Sequence, residues 1–244
     1  MRWVVRVAVA LLASASGHVC VADTRGSAAA PDLSTILYFS GTDLWRHGSF
    51  TYGGLLWSPG GLDREGFTLK LLLGGGNYRY TSGALGDAEV TGRQLAAFVL
   101  PGWRFTRDKM MVTVFAGLDV QDHRHTPFDP GSDLRGTQAG IRGGFEFWYE
   151  PDAASMWAAD FSVSSIGPGY SARVATGWRV LDSFYVGPEV GGFAAGDDYN
   201  QVRAGLHITG FKTQGVEWSA AFGWATDSDD RDSFYGRLGI LTRR

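Results

Sequence analysis

From residue 34 onward the chain shows no helical periodicity; apolar side chains recur at every second position, the period of a β-strand whose two faces meet different surroundings. Phe67, Leu69, Leu71 and Leu73 are separated by Thr68, Lys70 and Leu72, and Val112, Val114, Ala116, Leu118 and Val120 by Thr113, Phe115, Gly117 and Asp119. The same beat runs from Ala139 to Phe147, Trp157 to Val163, Ala172 to Trp178, Val202 to Ile208 and Trp218 to Trp224. One phase is apolar, and the other is small, polar or charged. Strands are expected near 35–45, 49–58, 67–80, 89–105, 110–123, 136–150, 155–165, 170–181, 184–193, 200–212, 216–226 and 233–242, an even number that returns both ends of the chain to one side.

Alternation alone fits both a soluble sandwich and a membrane barrel, because either has one apolar strand face. Three features favour the barrel. Runs such as 110–123 and 136–150 exceed the usual globular strand and suit a tilted membrane crossing. Tight turns at 106–109, 151–154, 181–183 and 212–215 alternate with longer polar loops at 81–88, 124–135, 194–199 and 227–232, although the long 58–66 segment falls on the tight-turn side. Aromatic residues gather at both strand ends, with Trp57, Trp103 and Trp157 beside the tight turns and Trp45, Tyr78, Tyr80, Tyr170, Tyr199, Trp224 and Phe234 beside the loops, as in two interface girdles. The expected fold is therefore all-β, a transmembrane antiparallel up-and-down barrel of about twelve strands over residues 34–244, with its tight turns on the periplasmic side.

Composition agrees. The 244 residues include 35 Gly, 15 Phe, 9 Trp and 9 Tyr, which suit β-structure with close bends and interfacial rings. A net charge of −3 and the lack of a basic stripe argue against nucleic acid as a partner. Residues 1–22 read as a secretory signal, with Arg2 and Arg6 ahead of an apolar run from Val7 to Ala15 and cleavage expected after Ala22. Residues 23–33 read as a flexible leader. Cys20 is the single cysteine and would leave with the signal, so neither disulfide nor thiol chemistry is expected.

Candidate chemistry is sparse. His123 and His125, expected on a loop with Asp122, Asp129 and Asp133, could bind Zn or Cu, but the spacing supplies no third ligand and a solvated loop is preferred. His207 could pair with a serine (Ser162, Ser164, Ser171 or Ser219), as in lipid-modifying barrels, by composition only. The acidic stretches Asp197-Asp198 and 227–232 lack an EF-hand pattern. Pro59-Gly60-Gly61 and Gly74-Gly75-Gly76 lack the Lys-Ser/Thr of a phosphate loop. No cofactor, metal or catalytic residue is implied. The inward phase is more informative: Lys70, Arg93, Asp119, Arg142, Glu146, Asp160, Arg173, Arg179, Glu189, Arg203, Glu217 and Arg237 are expected to line a lumen. Charges of both signs there must pair or hydrate, in a filled interior or a polar channel. Phe115, Trp148, Tyr185 and Tyr235 share that face, either to stack on sugar rings or to fill space.

Several ordered stretches resemble the cellulose biosynthesis BcsS family of alphaproteobacteria. The most specific is Gly53-Gly54-Leu55-Leu56-Trp57-Ser58-Pro59-Gly60-Gly61-Leu62-Asp63-Arg64-Glu65-Gly66-Phe67, which spans the misfit loop. Others are Leu100-Pro101-Gly102-Trp103-Arg104-Phe105, Ala116 to His123, Tyr185-Val186-Gly187-Pro188-Glu189 and Tyr235-Gly236-Arg237-Leu238-Gly239. The resemblance implies an outer-membrane accessory to cellulose (β-glucan) synthesis or export, as polar channel or scaffold, non-enzymatic, with outer-membrane lipid, a glucan chain and the cellulose secretion machinery as partners. The alternatives are an outer-membrane lipid-modifying enzyme, a general small-solute porin and a soluble secreted β-protein.

Overall fold

The computed structural model describes residues 34–167, 169–195 and 199–244. The expected signal (1–22, with Cys20), the leader (23–33) and Asp197-Asp198 lie outside them. Twelve strands follow in chain order: β1 (Ile36–Trp45), β2 (Gly48–Trp57), β3 (Gly66–Ser82), β4 (Ala88–Arg107), β5 (Met110–Thr126), β6 (Gly136–Tyr149), β7 (Ser155–Ser164), β8 (Gly169–Val180), β9 (Phe184–Ala195), β10 (Tyr199–Thr213), β11 (Val216–Asp227) and β12 (Asp232–Arg243). Each pairs antiparallel with the next. β12 returns to β1, from Leu37 opposite Arg243 to Trp45 opposite Tyr235, so the sheet closes without a free edge. The fold is an up-and-down transmembrane barrel, the one arrangement of strands that satisfies every backbone group within lipid.

The apolar phase faces outward. Leu73, Leu95, Leu118, Ile141, Val174, Leu206 and Phe222 are exposed on the outer wall. Trp57, Trp103 and Trp157 lie outward near the end that holds Ser34 and Arg244 (the near end), and Tyr170, Trp224 and Phe234 outward toward the far end. Trp45, Tyr78, Tyr80 and Tyr199, expected in the far girdle, turn inward instead: their positions belong to the inward phase of β1, β3 and β10.

Strands also run further than the apolar pattern indicates. Backbone pairing needs no apolar side chain, and β3, β4 and β5 keep their register to Ser82, Ala88 and Thr126. His123 and His125 therefore stand on β5, not on a loop. The loops at the far end shorten accordingly, to 83–87, 127–135 and 228–231, and β1 and β2 join there by Arg46-His47 alone. At the near end Gln214 and Gly215 both have positive φ (52° and 79°), the two-residue hairpin turn whose twist matches its strands.

A narrow lumen holding large rings needs small residues opposite them. The Tyr78 ring fills the space that a Cβ on Gly92 would occupy, and Tyr52 does the same at Gly41. Gly92→Leu is expected to cost about 1–3 kcal/mol through the displaced Tyr78 ring, measured as an earlier loss of the folded gel band on heating.

Candidate functional site: the lumen and its near-end plug

The inward face is divided. On β1 to β5 it is largely apolar: Leu37, Phe39, Phe50, Tyr52, Leu56, Leu72, Phe98, Leu100 and Phe115 are buried in one cluster. On β6 to β12 it carries most of the charges. Ion pairs bridge the two walls and succeed one another along the strands from the near end to the far end.

At the near end, Arg179 reaches Glu150 (3.4 Å) and donates to the Tyr185 hydroxyl, its guanidinium 4.6 Å from that ring. Trp148 donates to Glu150 (3.1 Å) and meets Tyr185 edge to face. Lys70 pairs with Glu146 at 2.6 Å, with Phe39 and Phe115 5.4 and 5.5 Å from its ammonium. Arg142 holds Asp119 at 2.9 Å and covers Phe98, while Ser164 and Gln121 also donate to the Asp119 carboxylate.

At mid-depth Glu189 binds Arg237 (2.5 Å), Arg173 (3.4 Å) and the Tyr235 hydroxyl (2.9 Å), and Arg173 also binds Asp160 (2.8 Å). Further toward the far end Arg203 reaches Asp43 (3.3 Å) within a cage of Trp45, Phe193 and Tyr235. Glu217 lies apart, near the near end, with Lys212 at 3.7 Å. Buried ions require such partners, since an uncompensated one costs several kcal/mol.

The structure thus brings Asp160, Arg173, Glu189 and Arg237 into one cluster and keeps Glu217 away from it. Arg93 is a correction. The inward phase of β4 is Val90, Gln94, Ala96, Phe98 and Leu100, so Arg93 is exposed on the outer wall. The rings of Phe115, Trp148, Tyr185 and Tyr235 all take part in the internal contacts above. His207 is 1% exposed and engages Thr209 Oγ1 through Nδ1 (2.9 Å) and the Thr176 carbonyl through Nε2 (3.1 Å); both ring nitrogens are occupied, neither by a serine. Tyr78 bridges His123 and His125 with its hydroxyl, and no three potential metal ligands converge among the described residues. Asp129, on the far-end loop, resists ionisation by burial, but the Tyr80 hydroxyl and the Gly131 N–H more than offset this and hold its carboxyl below the usual range.

The least anticipated part is the 58–65 loop between β2 and β3, which folds across the near end. Its Ser58 and Leu62 amides donate to Thr35 and Ser34. Leu62 is fully buried in the same cluster as Leu37, Leu56 and Leu72. Arg104, 1% exposed, donates to the Leu62 carbonyl and to Thr113 (3.2 Å), and Arg243 clamps the Asp63 carboxylate at 3.0 and 3.2 Å. The loop forms a plug on the β12–β4 side of the near-end mouth. No periodicity marks its residues; the only signal was the long stretch of family likeness that contains it.

A closed, antiparallel, lipid-faced barrel with a packed charged interior belongs to the class of outer-membrane β-barrels. Among solved structures it resembles an outer membrane channel from Pseudomonas putida F1 (11% identity, 91% of this chain and 99% of that one, TM-score 0.54). It also resembles the beta domain of the Bordetella autotransporter BrkA (13% identity, 87% of this chain and all of that one, TM-score 0.51). At such identities the likeness shows the fold alone. No curated protein matches the chain in sequence. The family model for cellulose biosynthesis protein BcsS matches residues 37–244, from β1 to the last residue, and the chain belongs to that family.

Proposed function

We propose that this chain is a non-enzymatic outer-membrane scaffold for cellulose synthesis or export, with both termini and the plug on the periplasmic side, rather than a conduit for the glucan. Family membership supports the association with cellulose synthesis, and the closed barrel with its lipid-facing wall supports the membrane. One observation favours scaffold over channel: the interior is crossed by ion pairs, and, among the described residues, two lumen cavities that meet at Asp160 have volumes of about 40 Å³ each. Such a volume holds a few waters at roughly 10–15 Å³ apiece, whereas small-molecule pockets run to about 300–1,000 Å³. The periplasmic face would then meet the secretion machinery, and the inward rings of Phe115, Trp148, Tyr185 and Tyr235 serve as packing.

Planar-bilayer recording on the purified barrel tests this reading. The expected trace shows no large stable conductance and no change when cello-oligosaccharide is added. A stable pore blocked by cello-oligosaccharide would overturn the scaffold in favour of the channel. Unchanged cellulose output in a deletion strain would remove the cellulose role altogether.

A further inference from the structure

Arg93, misplaced by the alternation, leads to a second surface. It pairs in register with Arg124 on β5 and with Asn77 on β3, and Arg79 stands one outward position further along β3. All three arginines are exposed on the outer wall, Arg124 at 79% of its side chain. Among the described residues, the outward strand positions in the far half of β1, β2 and β6 to β12 carry no Lys or Arg. Within the far half of the outer wall, the basic strand positions are thus gathered on three adjacent strands.

Two arginines directly opposed on one face repel each other. Their acidic neighbours do not cancel the charge: Asp122 binds Arg124 at 3.0 Å and Glu89 lies 3.7 Å from Arg79, and among the described residues no carboxylate pairs with Arg93. The depth is informative. Leu95 and Val120 are exposed lipid-facing residues, and Arg93 is the next outward position beyond Leu95, about 7 Å further along the strand. A bilayer places headgroup phosphates just beyond its apolar layer, and a guanidinium fork matches phosphate oxygens two at a time.

We propose that Arg79, Arg93 and Arg124 form a binding site on the outer wall for the phosphate groups of a phosphorylated glycolipid in the outer leaflet. This rests on the outer-membrane placement above, with the far end outside the cell. The like-charged pair is then held together by the anion between them.

Native mass spectrometry of the purified barrel in neutral detergent tests the site, with a bis-phosphorylated glycolipid, its dephosphorylated form and inorganic phosphate as probes. The triple variant Arg79→Gln, Arg93→Gln, Arg124→Gln is expected to retain the phosphorylated lipid at least about tenfold more weakly than the wild type, the scale of one lost charge-assisted contact. The dephosphorylated lipid should bind both proteins equally weakly. Equal retention of the phosphorylated lipid by both proteins, or its displacement by low concentrations of inorganic phosphate, would overturn the proposal. Membrane fractionation separates its failure from that of the placement: a wild-type chain absent from the outer membrane takes both down, whereas equal retention by a barrel that resides there defeats the lipid site alone.

Discussion

Glu189→Ala is expected to destabilise the barrel by about 3–5 kcal/mol, the range for removing one partner of a buried ion pair. The size follows from what the carboxylate holds. It accepts from Arg237 at 2.5 Å, Arg173 at 3.4 Å and the Tyr235 hydroxyl at 2.9 Å, with only 3% of its side chain exposed. Arg173 keeps Asp160, but Arg237 loses its one ion-pair partner among the described residues and remains inside a lumen where a neighbouring cavity admits few waters. Glu89→Ala is the matched control, because Glu89 lies 3.7 Å from Arg79 with both side chains about half exposed; such pairs contribute about 0–1 kcal/mol. Urea unfolding in detergent, followed by tryptophan fluorescence, compares the two. Equal midpoint shifts would show that the central cluster is hydrated like the surface and would defeat the filled-lumen account.

How much of this was legible in the sequence depends on which physical signal each part leaves. The twelve strands and the outward apolar phase are local, so Leu118 beside Asp119 declares its own orientation. The apolar half of the lumen is hidden for the same reason. In Leu71-Leu72-Leu73 and Leu55-Leu56-Trp57 both faces are apolar, one against lipid and one against the interior cluster, and no contrast remains to read. Arg93 is not legible on β4, because Val90, Leu95, Ala96 and Ala97 populate both phases and a charge by itself does not mark the inward one. The ion-pair partners are non-local. Asp43 and Arg203 lie 160 positions apart, and they meet only because β12 closes on β1. The plug had no periodicity to betray it, and Leu62 reads in isolation as one apolar residue in a glycine-rich loop.

That loop yields the second large effect. Leu62→Ala should cost about 2–5 kcal/mol, as for other large-to-small changes at fully buried positions. Leu62→Asp should go further, since an unpaired carboxylate cannot remain in the cluster formed by Leu37, Leu56 and Leu72. The loop would leave the near end, and Arg104 would lose the Leu62 carbonyl and keep the Thr113 hydroxyl as its acceptor among the described residues. The Arg243–Asp63 clamp is nearer the surface and cannot hold the loop alone. Protease access reads this directly. Arg64 is exposed in a loop held just before it by Leu62 and Asp63 and just after it by β3, which begins at Gly66, so the wild type should resist trypsin there in intact detergent-solubilised barrel. Leu62→Asp should be cut after Arg64 while the rest of the barrel stays folded by its heat-modifiable mobility. If the variant is no more sensitive than the wild type, the loop does not depend on Leu62, and the plug must be held by the Asp63 clamp and the backbone bonds to Ser34 and Thr35. If it is cut but bilayer recordings stay silent, the ion pairs above the plug close the lumen by themselves, as the scaffold reading requires.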